Sequence, residues 1–289
     1  MTDSQPDVTT TSTVALEDFG DAARLERFGD RLVDRPHPGA FGARRAPERW
    51  PAADLRFDRD GGWSGPAELD PWSVVVDGVT MELRPTDAGQ VGLFPEHVAM
   101  LPWLGERLAA RAGRRDDGRS AVLHLFAYTG LVTLALAGAG AAVTHVDAAR
   151  PSVAWARRNA ERNGLADAPI RWIVDDARAF TEREARRGRR YAGLVLDPPS
   201  YGHGSGGRAW RIETDLEPLL GACRGILEPG AFVLLTGHTP AFGPEAFASI
   251  LARGIGHAAG QVETGGLGLT SLDGRRLELG AYARLAGSA

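Results

Sequence analysis

"AVLHLFAYTGLVTLALAGAGAAVTHVD", residues 121–147, decides the fold. "AVLHLF" is a short apolar run with the length of a buried strand, and it stops at Tyr128-Thr129-Gly130. "GLVTLALAGAG" follows with helix formers and ends in glycines, as helices do. "AAVTHVD" is a second apolar run, closed by Asp147. Strand, helix and strand in this order form the unit of a parallel sheet.

The rhythm continues downstream. "RPSVAWARRNAERNG" reads as a helix stopped by Gly164, "PIRWIVDD" as a strand and "ARAFTEREARRG" as a helix. "YAGLVLD" (191–197) is a strand, "ETDLEPLLGACRGIL" a helix and "GAFVLLTG" (230–237) a strand. A helix near 243–254 precedes two closing strands, in "GQVETGGLGL" and "RRLELGAYARL". The expected class is α/β, a doubly wound Rossmann-like sheet, with a small N-terminal extension that contains a β-hairpin. That hairpin is "SVVVDGVTMEL" (73–83), where Asp77-Gly78 is a two-residue turn signal between alternating apolar residues. Residues 1–20 read as a flexible tail, 21–90 as the extension and 91–289 as the main domain. Within the extension, 21–60 reads as irregular structure with short helices.

Composition narrows the setting. With 289 residues and 43% hydrophobic content, the chain can build a large core. No apolar run reaches the roughly 18 residues of a membrane span, so no membrane partner is expected. The opening "MTDSQPDVTTTSTVALEDFG" is acidic and has no apolar core, which argues against a secretory signal. The one cysteine, Cys223, allows no internal disulfide. Both features point to the cytoplasm. All 33 basic residues are arginine, as a GC-rich genome gives, so arginine content alone is weak support for nucleic-acid binding. Residues 1–100 hold 10 Arg against 18 acids, a net of −8, and 101–289 hold 23 against 19, a net of +4. Neither half is strongly basic.

In open α/β sheets, ligands bind beyond the carboxyl ends of the strands. These ends carry Phe126-Ala127-Tyr128-Thr129-Gly130, then Asp147, then Asp175-Asp176, then Asp197-Pro198-Pro199. An acid after the second strand suits ribose hydroxyls, and one after the third suits an adenine amino group. A pyrophosphate would call for G-x-G-x-x-G at the first turn, and only Gly130 is there. The pattern fits an adenosyl ligand without phosphates, such as S-adenosylmethionine, better than NAD.

On these residues a resemblance rests. "LHLFAYTGLVTLALAGAGAAVTHVDAARPSVAWARRNAERNGL", "RWIVDDARAF" and "LDPPSYGHG" resemble the class I S-adenosylmethionine-dependent methyltransferases of the bacterial 23S rRNA methylase group, with its cytosine-C5 and guanine-N7 members. "ERFGDRLVDRPHPGA" and "VGLFPEH" resemble the stand-alone branch, which lacks a separate N-terminal RNA-binding domain. The resemblance implies that the backbone of Phe126, Ala127, Tyr128, Thr129 and Gly130 meets the methionine part of the cofactor. It implies Asp147 on the ribose and Asp176 on the adenine. His97 stands where the related "LFPEQ" has glutamine, an expected cofactor contact. His124 stands where such enzymes often have an acid or asparagine.

Asp197, Pro198, Pro199 and Tyr201 are the expected catalytic group. The prolines leave carbonyls outside sheet or helix, and one of them with the Asp197 carboxylate can accept a substrate N–H. Tyr201 can stack on a base. Gly202, Gly204, Gly206 and Gly207 suggest a mobile flap carrying His203, and Arg208 and Trp210 follow as substrate contacts or anchors. C5 members carry a nucleophilic cysteine after the fifth strand, and here that place reads "LLTGHTP" with His238. Cys223 lies in a helix at a packing position. The expected substrate is therefore a base nitrogen of RNA, ribosomal RNA first; the alternative is a small molecule or peptide. No metal ligands are expected.

Overall fold

The computed structural model describes residues 14–66, 70–111, 118–203 and 209–287. They fall into two compact units, Met1–Val91 with Thr270–Arg275, and Gly92–Leu269 with Arg276–Ala289.

The first unit departs from the sequence reading. Residues expected to be a tail form β1 (Val14–Gly20), and the segment expected to be irregular holds β2 (Ala23–Phe28), β3 (Arg31–Pro36), β4 (Leu55–Asp58) and β5 (Gly62–Ser64). These make one sheet in the order β1-β2-β3-β4-β5, antiparallel except for the β3–β4 pair. Two devices hid it. The β1–β2 turn uses Asp21 and Ala22 at φ 53° and 58°, left-handed positions that a sequence usually marks with glycine or asparagine. The strands also bury charge. Glu26 and Arg35 face each other inside, with Arg35 Nε donating to Glu26 Oε2 at 2.9 Å. In sequence such residues read as solvated. The expected hairpin is β6 (Trp72–Val76) paired with β7 (Val79–Leu83), turning on Asp77 and Gly78 at φ 48° and 76°. Thr270–Arg275 joins this unit: Leu16 bridges Ser271, and Arg275 Nη2 donates to Asp18 Oδ1 at 2.7 Å.

The second unit opens with a 3-10 turn, Pro95–Met100, and α1 (Leu101–Ala109). There follow β8 (Ala121–Leu125), α2 (Leu131–Gly138), β9 (Ala142–Asp147), α3 (Arg150–Arg162), β10 (Ile170–Val174), α4 (Ala177–Arg186) and β11 (Tyr191–Leu196). A short hairpin, β12 (Tyr201–His203) with β13 (Ala209–Arg211), leads to α5 (Ile212–Arg224), β14 (Leu227–Gly237), α6 (Pro244–Ile255), β15 (Glu263–Thr270) and β16 (Arg276–Leu285). The sheet order is β10-β9-β8-β11-β14-β16-β15, parallel from β10 to β14, with β16 antiparallel against β14. The core lies on β8, β11 and β14, where Leu123, Leu194, Leu196 and Leu235 pack with Leu216 and Leu219 of α5 and Phe247 of α6. The strand order reverses between β8 and β11, so a crevice opens beyond their carboxyl ends. Among the described residues, no helix is long and apolar enough to cross a membrane.

Candidate active site

Three loops meet at the reversal. After β8 the chain turns on Phe126 and Tyr128, both at positive φ (55° and 48°), and then on Gly130 at φ 94°. Non-glycine residues held there cost of order 1–3 kcal/mol each and persist only where their surroundings fix them. Among the bonds that fix this loop, Ala127 N donates to Val146 O at 3.1 Å, Tyr128 N to Asp147 Oδ2 at 2.9 Å, Thr129 Oγ1 to Gly92 O at 2.6 Å and Asn159 Nδ2 to Thr129 O at 3.0 Å. A Cβ on Gly130 would stand 3.1 Å from that of Ala156, a tight contact, and the φ of 94° is one that L side chains rarely adopt, so glycine is favoured here.

Asp147 ends β9. Its Oδ1 accepts Ala149 N at 2.8 Å while Oδ2 accepts Tyr128 N. Each oxygen keeps a lone pair for a ligand hydroxyl. Burial raises its pKa above the usual carboxylate value, and the two amides offset this only in part. Asp176 caps α4: its Oδ1 accepts Arg178 N and Ala179 N at 3.0 and 3.1 Å, which leaves Oδ2 turned from the cap.

Asp197 ends β11. Thr236 Oγ1 donates to its Oδ1 at 2.8 Å. Its Oδ2 lies 3.6 Å from His97 Nε2 and 3.7 Å from His238 Nε2. Burial pushes this carboxyl up, but His97, His238 and the Thr236 bond more than offset it and hold it below the usual range. His97 and His238 are 141 positions apart in sequence, and no spacing rule could have paired them. Phe94 stacks on His238 at 5.2 Å between centroids and leans on Tyr128 at 5.5 Å.

Of the two proline carbonyls, that of Pro199 is taken: Trp210 Nε1 donates to it at 2.7 Å. Trp210 is buried and packs on Phe126 at 4.9 Å, so it anchors the segment. Among the described residues, no hydrogen bond is made to the Pro198 carbonyl. Tyr201 is 70% exposed, a face open to a partner ring. Of the expected flap, Gly204, Gly206, Gly207 and Arg208 lie outside the described residues, as does the side chain of His203.

Behind β8, His124 is buried. Its Nδ1 stands 2.8 Å from Thr133 Oγ1, which stands 2.9 Å from His145 Nδ1. Burial lowers both imidazoles, His145 to about 3, so both are neutral near pH 7. Cys223 is fully buried, and burial pushes its thiol up to about 12. Such a thiol is no nucleophile.

An order-reversing parallel sheet with acids at the ends of β9 and β11 defines a Rossmann-like nucleoside-cofactor enzyme. A family model for S-adenosylmethionine-dependent methyltransferase matches residues 40–261, and the chain belongs to that family. A solved S-adenosylmethionine-dependent methyltransferase from Agrobacterium tumefaciens is 36% identical, covers 94% of this chain and 90% of its own, and superposes with a TM-score of 0.86. Ribosomal RNA large subunit methyltransferase K/L of Methylococcus capsulatus is 36% identical over 116 residues, 39% of this chain and 16% of that protein. Ribosomal RNA large subunit methyltransferase I of Klebsiella pneumoniae is 32% identical over 145 residues, 46% of this chain and 33% of that protein. The chain thus spans a third or less of these two curated relatives. S-adenosylmethionine is the cofactor of the family, and this site fits it. Gly130 at φ 94° keeps the loop free of a side chain, Asp147 retains acceptor capacity, and the turn after β8 has no G-x-G-x-x-G pattern for a pyrophosphate.

Proposed function

We propose that the protein methylates a base nitrogen of RNA, ribosomal RNA first. The observation that carries the reading is the pairing of two acceptors, the Asp197 carboxylate and the Pro198 carbonyl, at the mouth of the strained Phe126–Gly130 loop. The names of the K/L and I relatives support an RNA substrate. Bound S-adenosylmethionine would supply a methyl group carried on its sulfonium sulfur, leaving as the neutral thioether S-adenosylhomocysteine.

This chain's residues do the rest. The Phe126–Gly130 backbone and His97 hold the methionine end. Asp147 accepts the ribose hydroxyls and Asp176 the adenine amino group. Asp197 and the Pro198 carbonyl accept the substrate N–H and aim its nitrogen, while Pro199 fixes the turn and Tyr201 stacks on the base. Alignment of nucleophile and methyl accounts for much of the rate in such a displacement. The reading places the protein in the cytoplasm, where ribosomes are available.

The test is nucleoside mass spectrometry of rRNA from a deletion strain. One methylated base should disappear and return on complementation. An unchanged profile, with activity instead on small molecules or peptides, would replace RNA as the substrate.

A further inference from the structure

Beyond methyl transfer, the structure assigns a divalent transition-metal site to His97 Nε2, His238 Nε2 and Asp197 Oδ2. The first observation is spacing. The three atoms stand 3.3, 3.6 and 3.7 Å apart. The point equidistant from them lies about 2.1 Å from each, the length of zinc–nitrogen and zinc–carboxylate bonds. A proton shared with the carboxylate would instead draw its partners to about 2.7–3.2 Å. Both imidazole–carboxylate separations exceed that, as ligands around a common centre do.

The second observation is how His238 is held. Its Nδ1 lies 3.0 Å from the Leu279 carbonyl and 3.5 Å from Glu96 Oε1, both acceptors. Nδ1 therefore carries the hydrogen, and the neutral ring turns its Nε2 lone pair to the centre. A ring hydrogen given to a carbonyl or carboxylate is the outer shell that orients metal-binding histidines.

The third is charge. Glu96 is 3% exposed and its Oε2 is a buried oxygen with no hydrogen-bond partner. The side chains facing Asp197 are His97, His238, His124 and Thr236, with no arginine among them. A cation at the centre would lie against the Asp197 carboxyl, with the buried Glu96 carboxyl on the far side of the His238 ring. Two histidines and one carboxylate leave coordination positions open, as in catalytic rather than structural zinc sites.

This inference does not rest on the RNA reading, but it changes what Asp197 does. With Oδ2 on a cation, Asp197 would keep only Oδ1, already bonded to Thr236 Oγ1, as an acceptor for a substrate N–H, beside the Pro198 carbonyl.

The test uses untagged, chelator-stripped full-length protein titrated with Zn²⁺ against a chromophoric chelator. The expected result is one equivalent bound at micromolar affinity or tighter. His238→Ala and His97→Gln should each weaken it by roughly 100-fold, with folding checked by circular dichroism, and Cys223→Ser should bind as the wild type. If a variant fails to fold, Co²⁺ in the wild type still reports: visible bands without a sulfur charge-transfer band are expected. No binding at 100 µM Zn²⁺, about the upper limit for a specific site, overturns the assignment, as does wild-type affinity in both histidine variants. Zinc binding without rRNA methylation would count against the RNA reading alone. Methylation by fully metal-free protein, without zinc affinity, would count against the metal site alone.

Discussion

The buried acids of the N-terminal unit and the two acids that close β9 and β11 are held in different ways. In the N-terminal unit the buried acids meet arginine: Glu17 pairs with Arg27 and Arg49, Asp18 with Arg275, Glu26 with Arg24 and Arg35, and Glu82 with Arg84. At the sheet ends of the second unit, Asp147 meets two backbone amides, and Asp197 meets two imidazoles and a hydroxyl. Arginine keeps its charge at any working pH and engages the carboxylate with a rigid fork, so its pairs hold a fold. Amides and imidazoles leave lone pairs unspent and can be exchanged for a ligand. The second unit uses both: Glu184 meets Arg171 and Arg187 and Asp215 meets Arg178 as structural pairs, while Asp147 and Asp197 at the strand ends are left to amides, imidazoles and a hydroxyl.

The sharpest break of that contrast is on the structural side. Glu26 is fully buried; burial alone would raise its pKa, but the Arg24 and Arg35 guanidiniums override this and hold it below the usual range. Arg35→Met removes the closer partner and leaves a buried charge with Arg24 alone. It should cost about 3–5 kcal/mol, read by urea unfolding. Cofactor affinity of the folded fraction should not change.

Asp197→Asn is the counterpart. It should lower methyl transfer by roughly 10²–10³-fold, the scale of losing one aimed electrostatic group. Unfolding midpoints should move far less than for Arg35→Met. If the stability losses of the two variants were equal, the division of labour between arginine-paired acids and strand-end acids would collapse.

Asp147→Ala strands the ribose hydroxyls and should weaken cofactor binding by about 1–3 kcal/mol in calorimetry. The two amides it now engages belong to Tyr128 and Ala149, so part of the loss will appear as loosening of the Phe126–Gly130 loop.

The buried histidines sharpen the comparison through pH. His145 takes no proton in the folded state until about pH 3, because burial disfavours its charged form, whereas the unfolded chain protonates it near 6.5. Its folded pKa is depressed, so its contribution is intact above 6.5 and is lost as pH falls from there toward 3. At pH 5 the loss is about 2 kcal/mol. Unfolding at pH 7.5 and 5 should show this extra acid sensitivity in the wild type and not in His145→Gln.

How much of this could be read from the sequence depends on where charge is placed. β8, β9, β11 and the C-terminal part of β14 are mostly apolar, and β9 and β11 run straight into Asp147 and Asp197, so strands and these strand-end acids were both legible. β1–β5 carry Glu17, Asp18, Arg24, Glu26 and Arg35 at buried positions. Their pairing runs across strands, which no local pattern records. The site divides in the same way. Asp147, Asp176 and Asp197 are local to their strands, whereas the approach of His97 to His238 exists only after folding. The carbonyl of Pro199 looked available because Trp210 lies 11 positions further on, past a segment with no helical or strand rhythm.

Cys223 gives the smallest expected effect and the cleanest decision on chemistry. It lies in α5 with full burial, among Leu219, Leu220 and Ile226, and its Sγ is 3.9 Å from Thr181 Oγ1. Its thiol, pushed up to about 12 by burial, holds almost no thiolate at neutral pH. The segment after β14 that could present a nucleophile offers His238 and Thr239 instead. Cys223→Ser places a hydroxyl where Thr181 can accept its hydrogen, so the cost should be about 1 kcal/mol of stability. Methyl transfer at equal folded concentration should be unchanged. A folded but inactive Cys223→Ser, together with a covalent adduct between the wild type and 5-fluorocytosine RNA, would instead make the enzyme a carbon methylase. It would also require α5 to open far enough to expose its buried face, which hydrogen exchange at Leu219–Cys223 would detect directly.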